Sequence, residues 1–208
     1  YDLIIANPPY VRTQILGAKQ ARLLANQFGL SGRLDLYYAF ILGMSRVLKP
    51  KGVAGLIVSN RFMTTKSGAS IRQAIFERFN LRHVWDFGDT KLFEAAVLPA
   101  VLIVEGKSGH SYSKPTFSTI YETKNQEADN EASNPIEALS KEGIIKINDG
   151  RRFHVQHGKL HTSDAPDGVW RVATEAVDLW LKKVSSHTWG TFRDIGKIRV
   201  GVKTCADK

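Results

Sequence analysis

Apolar and polar residues fall in blocks along the chain, and the period changes from block to block. Leu3-Ile4-Ile5-Ala6 is a short apolar run stopped by Asn7 and two prolines, which reads as a buried strand that ends abruptly. Residues 11–31 are polar and basic, with no acidic residue between Asp2 and Asp35, and read as a helix or loop broken at Gly29 and Gly32. Residues 33–48 space Leu34, Tyr37, Tyr38, Ile41, Leu42, Met44 and Leu48 by threes and fours, which predicts a helix ended by Pro50 and Gly52. Tyr37, Tyr38 and Phe40 are expected in its core. Residues 53–59 form a continuous apolar strand ending at Asn60-Arg61-Phe62. A helix follows over 67–79, with Ile71, Ile75, Phe76 and Phe79 on one side and Ser67-Gly68-Ala69-Ser70 as its cap. Further strands are predicted at 81–87 and 99–105.

Strands alternating with helices predict a mainly parallel sheet. The last two strands are separated by about a dozen residues without helical periodicity, so they are expected to pair antiparallel. Past residue 106 the composition shifts. A strand is predicted at 116–121, and residues 122–142 carry six acidic residues against two lysines, a surface loop followed by a short helix at 135–141. Residues 144–147 and 153–156 read as strands of a small appended sheet, and residues 176–184 as a helix. His154, His157 and His161 are expected to be ordinary polar positions, since strand alternation puts the first two on opposite faces and no cysteine lies near.

A chain of 208 residues with 43% hydrophobic content can bury a substantial core. No apolar run reaches membrane-spanning length. The single Cys205 excludes an internal disulfide framework and fits a cytoplasmic protein. A net charge of +9 suits a polyanionic partner. The chain starts in mid-strand without Met, and so reads as an excised piece.

Chemistry concentrates in Asn7-Pro8-Pro9-Tyr10. Two prolines donate no ladder hydrogen bonds and stiffen the turn, which holds an amide and an aromatic ring at a strand's carboxyl end, where open α/β sheets bind ligands. The Asn7 side-chain oxygen and a proline carbonyl can together accept from one planar amino group while Tyr10 lies against the ring that carries it. Two such acceptors would localise the nitrogen lone pair in the transition state, an electrostatic rather than a nucleophilic device.

The run Asp2-Leu3-Ile4-Ile5-Ala6-Asn7-Pro8-Pro9-Tyr10-Val11 resembles the catalytic motif of adenine-specific N6 DNA methyltransferases, closest to the TaqI-like type of restriction–modification systems. Lys49-Pro50-Lys51-Gly52 before a strand, and the closing hairpin, also resemble class I methyltransferases. The resemblance implies that Asn7, Pro8 and Pro9 form the catalytic turn and that Asn7 and Pro8 hold a flipped adenine's amino group. It implies that Tyr10 stacks on the base, with Phe93 on the opposite face by its place before the final strand. It further implies S-adenosylmethionine as cofactor, with Asn7 one wall of its site, and double-stranded DNA as partner. The basic segment with Arg12, Lys19 and Arg22, placed directly after the turn, is expected to face that partner's backbone. A restriction nuclease, fused or separate, is implied as well. The segment 192–204 is similar to the opening of that family's target-recognition domain, although Cys205 stands where glycine is usual.

The expected fold is α/β: the C-terminal half of a class I, Rossmann-like methyltransferase sheet with an antiparallel closing hairpin and a small appended α+β segment. Residues 1–121 would be the second half of the catalytic domain, 122–185 the acidic loop and appended segment, and 186–208 the start of target recognition. The glycine-rich cofactor motif of the family has no counterpart here, since only six residues precede Asn7, so this chain alone is expected to be inactive. Two alternatives use the same residues: an RNA or protein-glutamine methyltransferase, and a non-catalytic DNA-binding piece.

Overall fold

A computed structural model describes residues 1–11, 15, 17–30, 35–91, 98–109, 114–125, 127–162 and 167–196. The apolar runs become strands β1 (Leu3–Ala6), β2 (Val53–Ser59), β3 (Phe79–Asp86) and β4 (Pro99–Gly106). β5 (Thr116–Glu122), β6 (Asn130–Ala132), β7 (Gly143–Ile147), β8 (Arg152–His161) and β9 (Arg171–Ala173) follow. All belong to one mixed sheet in the order β1-β2-β4-β3-β5-β8-β7-β6, with β9 paired to β8.

β1 and β2 run parallel, with Leu3 opposite Val53 and Ala6 opposite Leu56. β4 is antiparallel to both its neighbours, β2 and β3, which is the closing hairpin expected from its short connection. The architecture is thus the expected C-terminal half of a class I methyltransferase sheet. The strands anticipated at 144–147 and 153–156 exist as β7 and β8, but they continue the main sheet instead of forming one of their own. The reason is β5: it pairs parallel to β3 on one side and antiparallel to β8 on the other.

Helices α1 (Ala18–Phe28), α2 (Leu36–Met44), α3 (Arg61–Thr64) and α4 (Ala69–Arg78) contribute to the larger core. Ile41 and Leu42 of α2 and Ile71 and Ile75 of α4 are fully buried with Leu56, Val58, Val84, Leu102 and Val104 of the sheet. A smaller core gathers Ile120, Ile145, Phe153 and Val155 around the short helix α5 (Pro135–Ala138), with Phe87 and a half-buried Trp85. Asn134 caps α5, its Oδ1 accepting from the Ile136 and Glu137 amides at 3.0 Å each.

Three local expectations need correction. β1 is not buried: Leu3 and Ile5 are 62% and 83% exposed, because β1 is an edge strand whose only partner is β2 among the described residues. Phe40 is 45% exposed, on the side of α2 turned from the sheet, while Tyr37 and Tyr38 are buried as expected. The 67–79 helix begins later and has no side-chain cap; Gly68 precedes α4, after a 3-10 turn at Lys66–Gly68. A Cβ on Gly68 would lie 2.1 Å from the Phe62 carbonyl oxygen, so that turn requires glycine. Arg72, 3% exposed, binds it from α4 by donating to the Phe62 and Thr65 carbonyls at 2.5 and 2.8 Å, and to the Asp167 carbonyl.

The chain divides into two compact units, 1–173 and 174–208. The second contains α6 (Glu175–Ser186), matching the helix expected at 176–184, and the one-turn helix α7 (Phe192–Ile195). Thr174 caps α6, its Oγ1 accepting from Val177 N at 3.3 Å.

Candidate active site at the carboxyl edge of the sheet

The register of β1 on β2 determines what happens at Pro8. In a parallel pair, alternate residues of a strand turn both N–H and C=O toward the same neighbour. Val53 N donates to Asp2 O at 2.9 Å, so residues 53, 55, 57 and 59 of β2 face β1; Asn60, of opposite parity, donates to Leu98 O on the other side. Continuing this ladder, the Ile57 carbonyl would accept from the amide of residue 8, and the Ser59 carbonyl from that of residue 10. Residue 8 is proline and has no N–H, and the chain leaves the sheet there.

Two tyrosine hydroxyls stand in for the missing amides. Tyr10 Oη donates to Ile57 O at 3.1 Å, and Tyr37 Oη approaches Ser59 O at 3.4 Å. Tyr10 Oη also lies 2.8 Å from Asn7 Oδ1 and shares its single hydrogen between the two oxygens, so one hydroxyl ties the turn's amide to the sheet. Burial raises the Tyr10 pKa above its ordinary value. Asn7 and Pro9 are exposed, Pro8 is buried and Tyr10 is half-buried. The turn therefore presents an amide oxygen and one aromatic ring to solvent on a fixed frame. Leu36 N donates to Val11 O at 2.8 Å and anchors the chain just beyond it.

Behind Tyr10 stands an aromatic row. Its ring meets Tyr37 edge-on, with centroids 6.0 Å apart and planes at 76°. Tyr37 meets Tyr38 the same way at 4.7 Å and 83°. Burial pushes the Tyr37 pKa strongly up and that of Tyr38 up to about 12.

Asp86, 6% exposed at the tip of β3, ties neighbouring strand ends together. Its Oδ1 accepts from Asn60 Nδ2 at 2.8 Å and from Gly88 N at 3.1 Å, and its Oδ2 accepts from the Tyr121 hydroxyl. Neither Tyr37 nor this carboxylate was singled out as functional from sequence. An aspartate closing a strand before glycine was the available signal for the latter.

The remaining sequence-derived residues divide. Lys19 and Arg22 are exposed on α1 and share with Ala18, Leu23 and Asn26 the lining of a concavity of about 300 Å³. α1 carries no acidic residue, and Lys19 and Arg22 form no ion pair among the described residues. Arg12 and Phe93 lie outside the described residues, as does 197–208 with Cys205. Among the described residues no cluster of side chains could hold a metal ion, and no helix is long and apolar enough to cross a membrane.

A half sheet of this order, with an Asn-Pro-Pro-Tyr turn on its carboxyl edge, defines a class I methyltransferase architecture. The family model of the Eco57I restriction-modification methylase matches residues 1–93. The whole chain aligns with the Type II methyltransferase M.BanIII of Aneurinibacillus aneurinilyticus, at 40% identity over 216 residues covering 37% of that protein. M.XhoI of Xanthomonas vasicola is 35% identical over 56% of this chain and 22% of its own length. Among solved structures, a class I S-adenosylmethionine-dependent methyltransferase of Listeria monocytogenes is similar at a TM-score of 0.46 and 18% identity, covering 57% of this chain and 36% of that one. The chain is thus similar along its whole length to a Type II methyltransferase, M.BanIII, and it spans little more than a third of the length of that protein.

Proposed function

We propose that the protein transfers a methyl group to the N6 amino group of an adenine rotated out of duplex DNA. The observation that supports this most is the Tyr10 hydroxyl, which joins Asn7 Oδ1 to the sheet through the Ile57 carbonyl. It leaves Asn7 Oδ1 a second lone pair for an incoming amine. The amino group would donate its two hydrogens to Asn7 Oδ1 and the Pro8 carbonyl, drawing the nitrogen toward tetrahedral geometry. Its lone pair would then take the methyl carbon as the donor's sulfur–methyl bond breaks, the sulfur keeping that bond's electron pair, and one proton would leave the nitrogen for solvent.

Tyr10 and Phe93 would hold the two faces of the base and offset part of the unstacking cost, about a few kcal/mol. Arg12, Lys19 and Arg22 would meet the phosphates. S-adenosylmethionine supplies the methyl group when bound. Asn7 fits as one wall of its site, being exposed at the carboxyl edge. In this reading residues 1–121 are the second half of a catalytic domain, 122–185 an appended piece and 186–208 the opening of a target-recognition domain. The setting is a cytoplasmic restriction–modification system with its nuclease.

The test is transfer of labelled methyl groups by the full-length protein to adenine-containing duplex DNA, RNA and mixed protein, with the product read by mass spectrometry. N6-methyladenine in duplex DNA alone, abolished by Asn7→Ala, is the expected result. Label on RNA, glutamine or cytosine would overturn the reading.

A further inference from the structure

We infer that Tyr37 is a positioning residue for the Tyr10 ring, so that the tightness of base stacking is set one layer behind the motif. The inference rests on the function proposed above. Its starting point is the broken ladder: Pro8 removes the amide that would satisfy the Ile57 carbonyl, and the departing chain removes the one that would satisfy Ser59. These two carbonyls lie two residues apart on one edge of β2. Their substitute donors, Tyr10 Oη and Tyr37 Oη, are therefore held side by side.

That spacing fixes the rings as well as the hydroxyls. Edge-to-face contact at 6.0 Å and 76° limits how far the Tyr10 ring can tilt without striking Tyr37. Tyr37 itself cannot yield, being 1% exposed and backed edge-on by Tyr38 at 4.7 Å. Tyr10, by contrast, is only half-buried, and the exposed part of its ring is the part a base would meet. One ring is thus free on the substrate side and fixed on the other. This is the arrangement a stacking platform needs, since a ring that swings loses contact area in proportion to its disorder. The element carrying Tyr37 is tied to the same turn through Leu36 N and Val11 O at 2.8 Å, so α2 and the motif move together.

The Ser59 carbonyl also accounts for the buried Tyr37 hydroxyl in an otherwise apolar helix. Phenylalanine at 37 would fill the same volume and leave the Ser59 carbonyl without its donor. The ring carries the positioning, and the hydroxyl carries the cap.

The experiment compares Tyr37→Phe and Tyr37→Met in the full-length protein. Three quantities are read: kcat and KM for adenine-containing duplex, fluorescence of a duplex with 2-aminopurine at the target position, and Tm. Tyr37→Phe keeps the ring edge; it is expected to lower Tm slightly and hold kcat/KM within about threefold. Tyr37→Met removes the edge; it is expected to lower Tm further and, at a temperature where both variants are folded, to raise KM about tenfold and alter the 2-aminopurine signal. Tyr37→Met matching the wild type, or both variants losing activity equally at that temperature, would overturn the inference. A wild-type protein that neither methylates adenine nor changes 2-aminopurine fluorescence would instead sink the function proposed above, so the two failures are separable.

Discussion

The Tyr10 hydroxyl donates to Asn7 Oδ1 at 2.8 Å, so the aromatic and the amide of the motif form one unit before any substrate arrives. Ring and hydroxyl are then separable by substitution. Tyr10→Phe keeps the stacking face but frees Asn7 from its frame; its kcat should fall about tenfold, and stability by about 1 kcal/mol as the Ile57 carbonyl loses its donor. Tyr10→Ala removes the face and should cost about ten- to hundredfold in kcat/KM, the range of base–aromatic stacking. Steady-state kinetics on an adenine duplex, with thermal melting of each variant, checks both.

The motif was legible because every step of its logic is local: an apolar run, two prolines, an amide and a ring. β2 was legible for the same reason, as it is apolar up to Val58 and bounded by Gly52 and Asn60. The role of Tyr37 was not, since it depends on which carbonyls of β2 face β1, and that parity comes from register, 45 or more residues away in sequence. The burial of β1 was misread because an apolar run does not say whether one or two strands flank it. Asp86 was not singled out because its partners are remote in sequence, Asn60 just past the end of β2 and Tyr121 on β5.

Pro8 should matter through its missing hydrogen as much as through stiffness. Pro8→Ala restores an amide where the β1–β2 ladder lacks one, and that amide competes with the Tyr10 hydroxyl for the Ile57 carbonyl. The expected result is a protein of nearly unchanged Tm that has lost about tenfold or more in kcat, because the amide and ring are released from their frame. A variant with full activity would show that the hydroxyl bridge is dispensable.

Acid should weaken the fold through His83. Its ring lies against Trp85, and its Nε2 contacts Ser118 Oγ at 3.3 Å, which also contacts His157 Nδ1 at 2.8 Å. Burial first, and the neighbouring His157 second, lower the His83 pKa to about 4 from 6.5. A folded-state pKa below the unfolded one means that the unfolded chain takes up the proton first. Stability from this group is complete above pH 6.5 and is lost as pH falls toward 4. Tm measured across that window should decline, and His83→Gln should flatten the decline.

Lys19 and Arg22 offer a prediction that separates phosphate binding from chemistry. They lie three residues apart on α1, exposed and free of ion pairs among the described residues, on a helix without acidic side chains. Each phosphate contact removed should lessen the slope of log affinity against log salt by about 0.9. The double variant Lys19→Ala/Arg22→Ala in the full-length protein should therefore bind duplex DNA more weakly at low salt with a slope shallower by about 2. Its kcat at saturating DNA should be unchanged, because neither side chain belongs to the Asn7–Tyr10 unit. Titrations of a labelled duplex from low to moderate salt measure the slope directly. A parallel shift without a change in slope would mean that α1 acts through the fold and not through the phosphates, and a fall in kcat at saturation would place the helix in the chemistry itself.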